Sequence, residues 1–357
     1  MAYMMDIESR VEDRPVFITG ADGFVGSHLV DRLVDHGANV HVFVRATSSD
    51  ELNNIINRSE DITVHRGDLK DPHSVRQALS SLQDHSDSLI FHLAAQAHVG
   101  ESWNRPYDTI ETNVNGTLNL LQAIVDLDLD VAKIDTAGTS EEYGNIKEEM
   151  EEKHEYEDDG RVLLSERSPV NPTSIYATSK LTSDFLTMNY HDGYGLPTVT
   201  TRMFNNYGPR QNPRYITGTI VTQALEQNVV KLGNLQPKRD MCYVSDGVRG
   251  HLHVALEGSV GEQYVYGYGE NISMRDWANL ILEVGNENGY WDNLEIVQRE
   301  DRYRPGDSDV EELLVGYEKL NEETGWEPEV SWRDGVLKTI EWYANNRQQW
   351  YGRVDWR

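Results

Sequence analysis

"PVFITGADGFVGSHL", residues 15–29, sets a short apolar run against a glycine-spaced turn and then an amphipathic segment. The run has the composition of a buried strand. After it, Phe24, Val25, Leu29, Val30, Leu33 and Val34 recur at helical spacing, and Gly37 closes the helix. Between strand and helix, Gly20, Gly23 and Gly26 stand in a G-x-x-G-x-x-G spacing. Gly20 permits the tight turn, Gly23 lets the backbone approach a phosphate, and Gly26 lets the helix lie close to the sheet. The helix N-terminus favours negative charge, so a dinucleotide pyrophosphate belongs here.

The same alternation continues outward. Strands are predicted at 39–45, 61–67, 89–94, 132–137 and 197–203, with helical stretches near 72–82, 106–126 and 174–192. This is the pattern of an α/β protein with a Rossmann-type, doubly wound parallel sheet. Beyond residue 205 the regularity weakens, and short elements such as "VVKLGN" (229–234) and "MRDWANLILEVG" (274–285) imply a smaller, mixed α/β C-terminal substrate lobe. The expected division is a loose N-terminal extension over 1–14, then a dinucleotide-binding domain over 15–204 with a returning segment near 240–268. The lobe takes 205–239 and 269–350. The polar stretch 147–161 reads as a solvated loop.

Sixty acidic against 32 basic residues give a formal charge of −28, which argues against nucleic acid or an anionic membrane as a general partner. An acidic excess of this size suits a halophilic protein, because salt screens the self-repulsion. One cysteine, Cys242, excludes an intrachain disulfide and a multi-cysteine metal site, and no metal is expected. The chain has no apolar run of membrane length and a charged N-terminus, so a cytoplasmic location is expected.

Two further features bear on chemistry. Arg45 ends the second strand, followed by Thr47, Ser48 and Ser49, where an NAD site usually presents an acid to the ribose; a guanidinium and hydroxyls suit a 2′-phosphate, and NADP is expected over NAD. Asp68 stands ready for the adenine or as a helix cap. In "SIYATSK", Tyr176 and Lys180 are four residues apart and so share a helix face, where the ammonium is expected to lower the phenol's pKa and make it a base.

Taken with "GDLKD", "HLAAQAHV", "NVNGT", "GTSEEYG" (138–144), "RMFNNYGPRQ" (202–211), "KLGNLQPKRDMCYVSD" (231–246) and "RYRPGDSDVEELL" (302–314), these motifs resemble the extended short-chain dehydrogenase/reductases that act on nucleotide sugars. The likeness runs over roughly 15–345. It implies a cofactor cradle of Gly20, Gly23, Phe24, Val25, Gly26, Arg45, Asp68, Leu69, Leu93, Ala94 and Ala95, with Tyr176 and Lys180 at the nicotinamide ribose. It further implies that Thr139 binds the sugar 4-hydroxyl, Tyr176 takes its proton and hydride leaves C4. The same resemblance implies a homodimer or homotetramer.

A C4 ketone acidifies the C5 proton, and a carboxylate beside the sugar could remove it as water leaves C6. Glu141 is the candidate base in what resembles a nucleotide-sugar 4,6-dehydratase, the triplet Thr139-Ser140-Glu141 looking like the GDP-mannose 4,6-dehydratase form. Ser140, a water or protonated Glu141 would protonate the leaving hydroxyl. A UDP-sugar 4-epimerase, in which Glu141 goes unused, is the alternative. If the segment stays extended, the adjacent Glu142 points away from the sugar.

Residues 202–239 hold six basic side chains against one acid, a net of 6 − 1 = +5 within a chain of −28. A nucleoside diphosphate is the simplest cause. By resemblance, Asn205, Arg239 and Arg304 hold the diphosphate, and "KLGNLQPKRD", with Lys231, faces the base of a GDP-sugar. Trp103 and Tyr107 are expected to pack rather than to edge the sugar pocket.

Overall fold

The structure is a computed structural model that describes residues 7–47, 51–145, 153, 155–157, 160–302 and 309–351. Its main sheet has seven strands: β1 (Pro15–Thr19), β2 (Asn39–Arg45), β3 (Ile62–Gly67), β4 (Ser88–His92), β5 (Val131–Thr139), β6 (Thr198–Met203) and β7 (Gln263–Tyr266). All neighbours pair in parallel, in the order β7-β6-β5-β4-β1-β2-β3. The chain builds outward from β1 through β2 and β3, then returns to β4 on the other side. That reversal opens a crevice at the carboxyl ends of β1 and β4, where ligands of such sheets bind.

Among the described residues the helices of eight or more residues are α1 (Phe24–Asp35), α2 (Pro72–Leu79), α3 (Gly116–Asp126), α4 (Ile175–Tyr194), α5 (Ile216–Glu226), α6 (Val244–Glu257), α7 (Met274–Glu287) and α8 (Trp332–Asn345). Side chains alternate across β1, so Val16 and Ile18 join α1 and α6 on one face. Phe17 joins α2, α3 and Tyr190 of α4 on the other. The sheet is therefore covered on both faces, as near-continuous apolar strands require.

The C-terminal elements carry two smaller sheets. Asn205–Tyr207 pairs in parallel with Lys238–Tyr243, which pairs antiparallel with Asn271–Ser273; Val229–Leu232 pairs with Glu295–Gln298. Trp277 of α7 and Tyr343 of α8 belong to the same apolar cluster as Leu29 of α1, so one core runs through both parts.

Three expectations need correcting. Residues 7–14 are not loose: Ile7–Val11 forms a 3-10 turn with Val11 in the core, and Glu8 is buried against Arg32 at 2.7 and 2.5 Å. The helix expected over 106–126 is divided into Pro106–Ile110, a π turn over Glu111–Asn115, and α3. Trp103 and Tyr107 stay out of the core; they are 41% and 85% exposed. Of the polar stretch 147–161 only part is described, with Glu155–Tyr156 paired to Val162–Leu163.

Candidate active site

The glycine turn has the shape its spacing predicts. Gly20 has φ +73°, and a Cβ there would stand 2.7 Å from the Ala94 amide nitrogen. A Cβ on Gly26 would lie 2.3 Å from the Gly20 carbonyl oxygen. Gly23 is the N-cap of α1, whose first turn brings Phe24 and Val25 to the crevice. The close approach of backbone to backbone leaves no room for side chains where a diphosphate must pass, and the turn fits a dinucleotide. Leu93, Ala94 and Ala95 follow β4 across the crevice, and Ala94 donates its amide to Thr19 Oγ1 (3.2 Å). Asp22 faces away from the turn, accepting from the amides of Asn53, Asn54 and Ile55.

Arg45 is exposed at the end of β2, 3.9 Å from Asp68. Asp68 shapes the loop after β3 by accepting the Lys70 amide (3.0 Å), and Leu69 is buried beside it. Ser48 and Ser49 lie outside the described residues.

The reactive groups meet where β5 ends. Thr139 is extended (φ −154°, ψ 147°), and Ser140–Glu142 then closes a 3-10 turn. The turn is a capping box: the Glu141 amide donates to Thr139 Oγ1 (3.4 Å), and the Thr139 amide donates to Glu142 Oε1 (2.8 Å). The two adjacent glutamates are thereby separated, by a helical turn and not by the extended alternation expected. Both carboxylates bear on Tyr176, but Glu142 is also held beneath the strand by the Thr139 amide and Arg202. Thr139, Ser140 and Glu141 are all buried.

Tyr176 and Lys180 stand one turn apart on α4, with Thr139 hydrogen-bonded to the phenol. Burial pushes the Tyr176 phenol up, Tyr215, Glu141 and Glu142 push the same way, and the Thr139 bond draws it down. The phenol is therefore raised, against the expectation that the Lys180 ammonium lowers it. Burial lowers Lys180 itself, offset by Asp184, Glu142 and Asp135.

Several neighbours escaped the sequence reading. Tyr215 precedes α5, donates to the Ala97 carbonyl (3.1 Å), and bears on Tyr176. Asn113, in the π turn, accepts the Gln96 amide (2.7 Å) and donates to Ser179 Oγ (2.8 Å) of α4. His92 bridges Thr19 and Thr117 as a neutral ring, burial lowering it to about 3. "NVNGT" was a visible signal for Asn113; a tyrosine at 215 carried none.

The basic segment 202–239 is mostly accounted for inside the protein. Arg202 meets Glu142 and Asp184, Arg210 meets Asp31 (2.7 Å), Arg214 meets Glu101 (3.8 Å) and Lys238 meets Glu312 (3.5 Å). Its charge inversion is therefore no direct measure of a diphosphate site. Arg239 is buried and 3.6 Å from Asp309. Asn205 keeps a buried Oδ1 with no hydrogen-bond partner among the described residues, and Lys231 sits in the strand paired to 295–298. Arg304 lies outside the described residues.

A glycine crevice, a tyrosine–lysine pair and a Thr-Ser-Glu turn together define an NAD(P)-dependent short-chain dehydrogenase/reductase of the nucleotide-sugar dehydratase and epimerase type. More narrowly, the family described as GDP-mannose 4,6 dehydratase matches residues 17–339, and the chain belongs to it. A dTDP-glucose 4,6-dehydratase of Escherichia coli is 30% identical over 95% of this chain and 96% of its own. A GDP-mannose 4,6-dehydratase of Sordaria araneosa is 30% identical over 96% of this chain and 64% of its own. The crystal structure of a dTDP-glucose 4,6-dehydratase from Streptomyces venezuelae with NAD and TYD bound superposes with a TM-score of 0.79, at 28% identity over 96% of this chain and 100% of that one.

Proposed function

We propose that the protein is a nucleotide-sugar 4,6-dehydratase with GDP-mannose as its substrate, giving the 4-keto-6-deoxy sugar nucleotide. The observation that supports the reading is the buried Thr139-Ser140-Glu141 turn beside Tyr176, in which Glu142 is held by the Thr139 amide and Arg202. A 4-epimerase needs the hydroxyl and the tyrosine; only a dehydratase needs a carboxylate beside them.

A bound nicotinamide dinucleotide would supply a hydride acceptor at C4 and a hydride donor at C6. The protein's own groups do the rest. Thr139 holds the sugar 4-hydroxyl toward Tyr176, whose phenolate form accepts its proton as the C–H bond at C4 breaks. The resulting ketone acidifies C5, and Glu141 takes that proton while the C6 hydroxyl departs. Protonated Glu141, with Ser140 next to it, delivers the proton that turns the leaving group into water. As hydride returns to C6, C5 takes up one proton, equivalent to the one Tyr176 removed from the 4-hydroxyl, so proton and hydride balance and the reaction is an elimination without net redox change.

Gly20, Gly23 and Gly26 would receive the cofactor's pyrophosphate. Arg45 is exposed at the ribose end and favours a 2′-phosphate, so NADP is the proposed form. Asn205, Lys231 and Arg239 face the nucleoside diphosphate in this reading; the resemblance of "KLGNLQPKRD" and the Sordaria relative support guanosine. The outer surfaces of α3 and α4 expose Leu118 and Phe185, which suits a homodimer through those helices. Among the described residues no helix is long and apolar enough to cross a membrane.

Incubation with GDP-, dTDP-, UDP- and CDP-hexoses, read by mass, tests the proposal. Loss of one water from the GDP-hexose supports it. A product of unchanged mass with inverted C4 would make the protein an epimerase.

A further inference from the structure

Glu142 takes no part in the reaction above, yet no acid at the site is more deeply buried (0% exposed). Its Oε1 accepts the Thr139 amide (2.8 Å), and its Oε2 lies 2.8 Å from Arg202 Nε. Arg202, on β6, donates from that same nitrogen to Asp184 Oδ2 (2.9 Å). Asp184 stands on α4 one turn beyond Lys180 and two beyond Tyr176, so the three share a helix face. The two carboxyl groups also lie together: a Cβ on Gly138 would be 3.0 Å from Asp184 Oδ1 and 3.0 Å from Glu142 Oε1. Three elements thus converge on one guanidinium.

We infer that Glu142 is a positioning residue, which through Arg202 and Asp184 ties the turn bearing Thr139 and Glu141 to the helix bearing Tyr176 and Lys180. The inference rests on the proposed dehydratase reaction, which needs both halves at one sugar. C4 oxidation uses Thr139 and Tyr176, whereas C5 deprotonation uses Glu141. If the turn shifts against the helix, the sugar cannot satisfy both.

The chemistry of the pair specifies which replacement will serve. Two carboxylates pressed together in the interior repel, and one keeps its proton. Burial first, and Asp184 next, push the Glu142 carboxyl up, against the pull of Arg202. A protonated Glu142 accepts the Thr139 amide with one oxygen and donates to Asp184 with the other. Glutamine has the same acceptor and donor; methionine has the volume and neither.

The test compares Glu142→Met and Glu142→Gln with the wild type, measuring turnover and amide hydrogen exchange at Thr139–Glu141. For Glu142→Met, kcat should fall about 100-fold with KM changed less than about threefold, the signature of misplaced reacting groups in a site that still binds. Its Thr139 amide should exchange faster. Glu142→Gln should recover kcat to within about threefold of wild type together with slow exchange. Asp184→Leu, in parallel, keeps the cap but loses the acceptor that ties Arg202 to α4, so it should lower kcat with Thr139 still protected. Wild-type kcat in Glu142→Met, equal loss in both Glu142 variants, or unchanged exchange in Glu142→Met would each overturn the inference. A wild-type protein inactive on every sugar nucleotide would defeat the dehydratase reading instead, while the exchange measurement would still decide the role of Glu142.

Discussion

At the scale of single residues, the two halves of the site differed in how much the sequence disclosed. Tyr176 and Lys180 were legible because helical spacing alone puts them on one face. Glu141 and Glu142 were not separable by type, since both are carboxylates and only the backbone decides their sides. The 3-10 turn that parts them is held by the local capping box of Thr139 and Glu142 and by Arg202, a partner distant in sequence. The ammonium was expected to lower the phenol, but burial raises Tyr176. With Tyr176 as the group that accepts the hydroxyl proton, Tyr176→Phe should lower kcat by about 10²–10⁴-fold, the usual range for an acid–base group. Equilibrium dialysis should show nucleotide-sugar binding within a few-fold of wild type. Loss of binding in place of turnover would count against the role.

Among the elements, strand and helix positions followed from local pattern, because β-branched runs and 3.6-residue spacing are local properties. The π turn at Glu111–Asn115 was invisible, since its cause is tertiary: Asn113 is held by Gln96 and Ser179, and Ser183 donates to its carbonyl. Neutral histidines join elements in the same way. His92 links β1 to α3, and His28 of α1 meets the Pro209 carbonyl at 2.9 Å. Burial lowers His92 to about 3 and His28 to about 4 from 6.5. Between those values and 6.5 the unfolded chain binds protons that the folded one refuses. The stability these rings contribute is therefore full above about pH 6.5 and is lost as pH falls, at up to about 1.4 kcal/mol per pH unit for each. Urea midpoints should drop from pH 7 to pH 5, and His92→Gln should flatten the slope. An unchanged slope would show that His92 is not the group titrating.

Over the whole molecule, the doubly wound sheet could be read from the order of elements, but the substrate lobe could not be drawn in detail. Its strands are three to six residues long and pair out of sequence order, and its core is continuous with that of α1. The basic segment was misleading for a related reason: pairing with Asp31, Glu101 and Glu312 is a long-range outcome that composition does not show. The net charge of −28 remains a property of the whole surface. Self-repulsion of that size opposes compaction at low ionic strength, and at 1 M salt the screening length falls to about 3 Å. The melting temperature should accordingly rise from dilute buffer to molar KCl. A flat or falling trend would remove the argument for adaptation to salt.

Glu141→Gln, mixed with the GDP-hexose and followed by cofactor fluorescence and product mass, addresses the proposed reaction most directly. With the C5 base removed but Thr139, Tyr176 and Lys180 intact, reduced cofactor should accumulate to about one equivalent per active site, and no water should be lost from the sugar. Dehydration by Glu141→Gln at the wild-type rate would contradict the account.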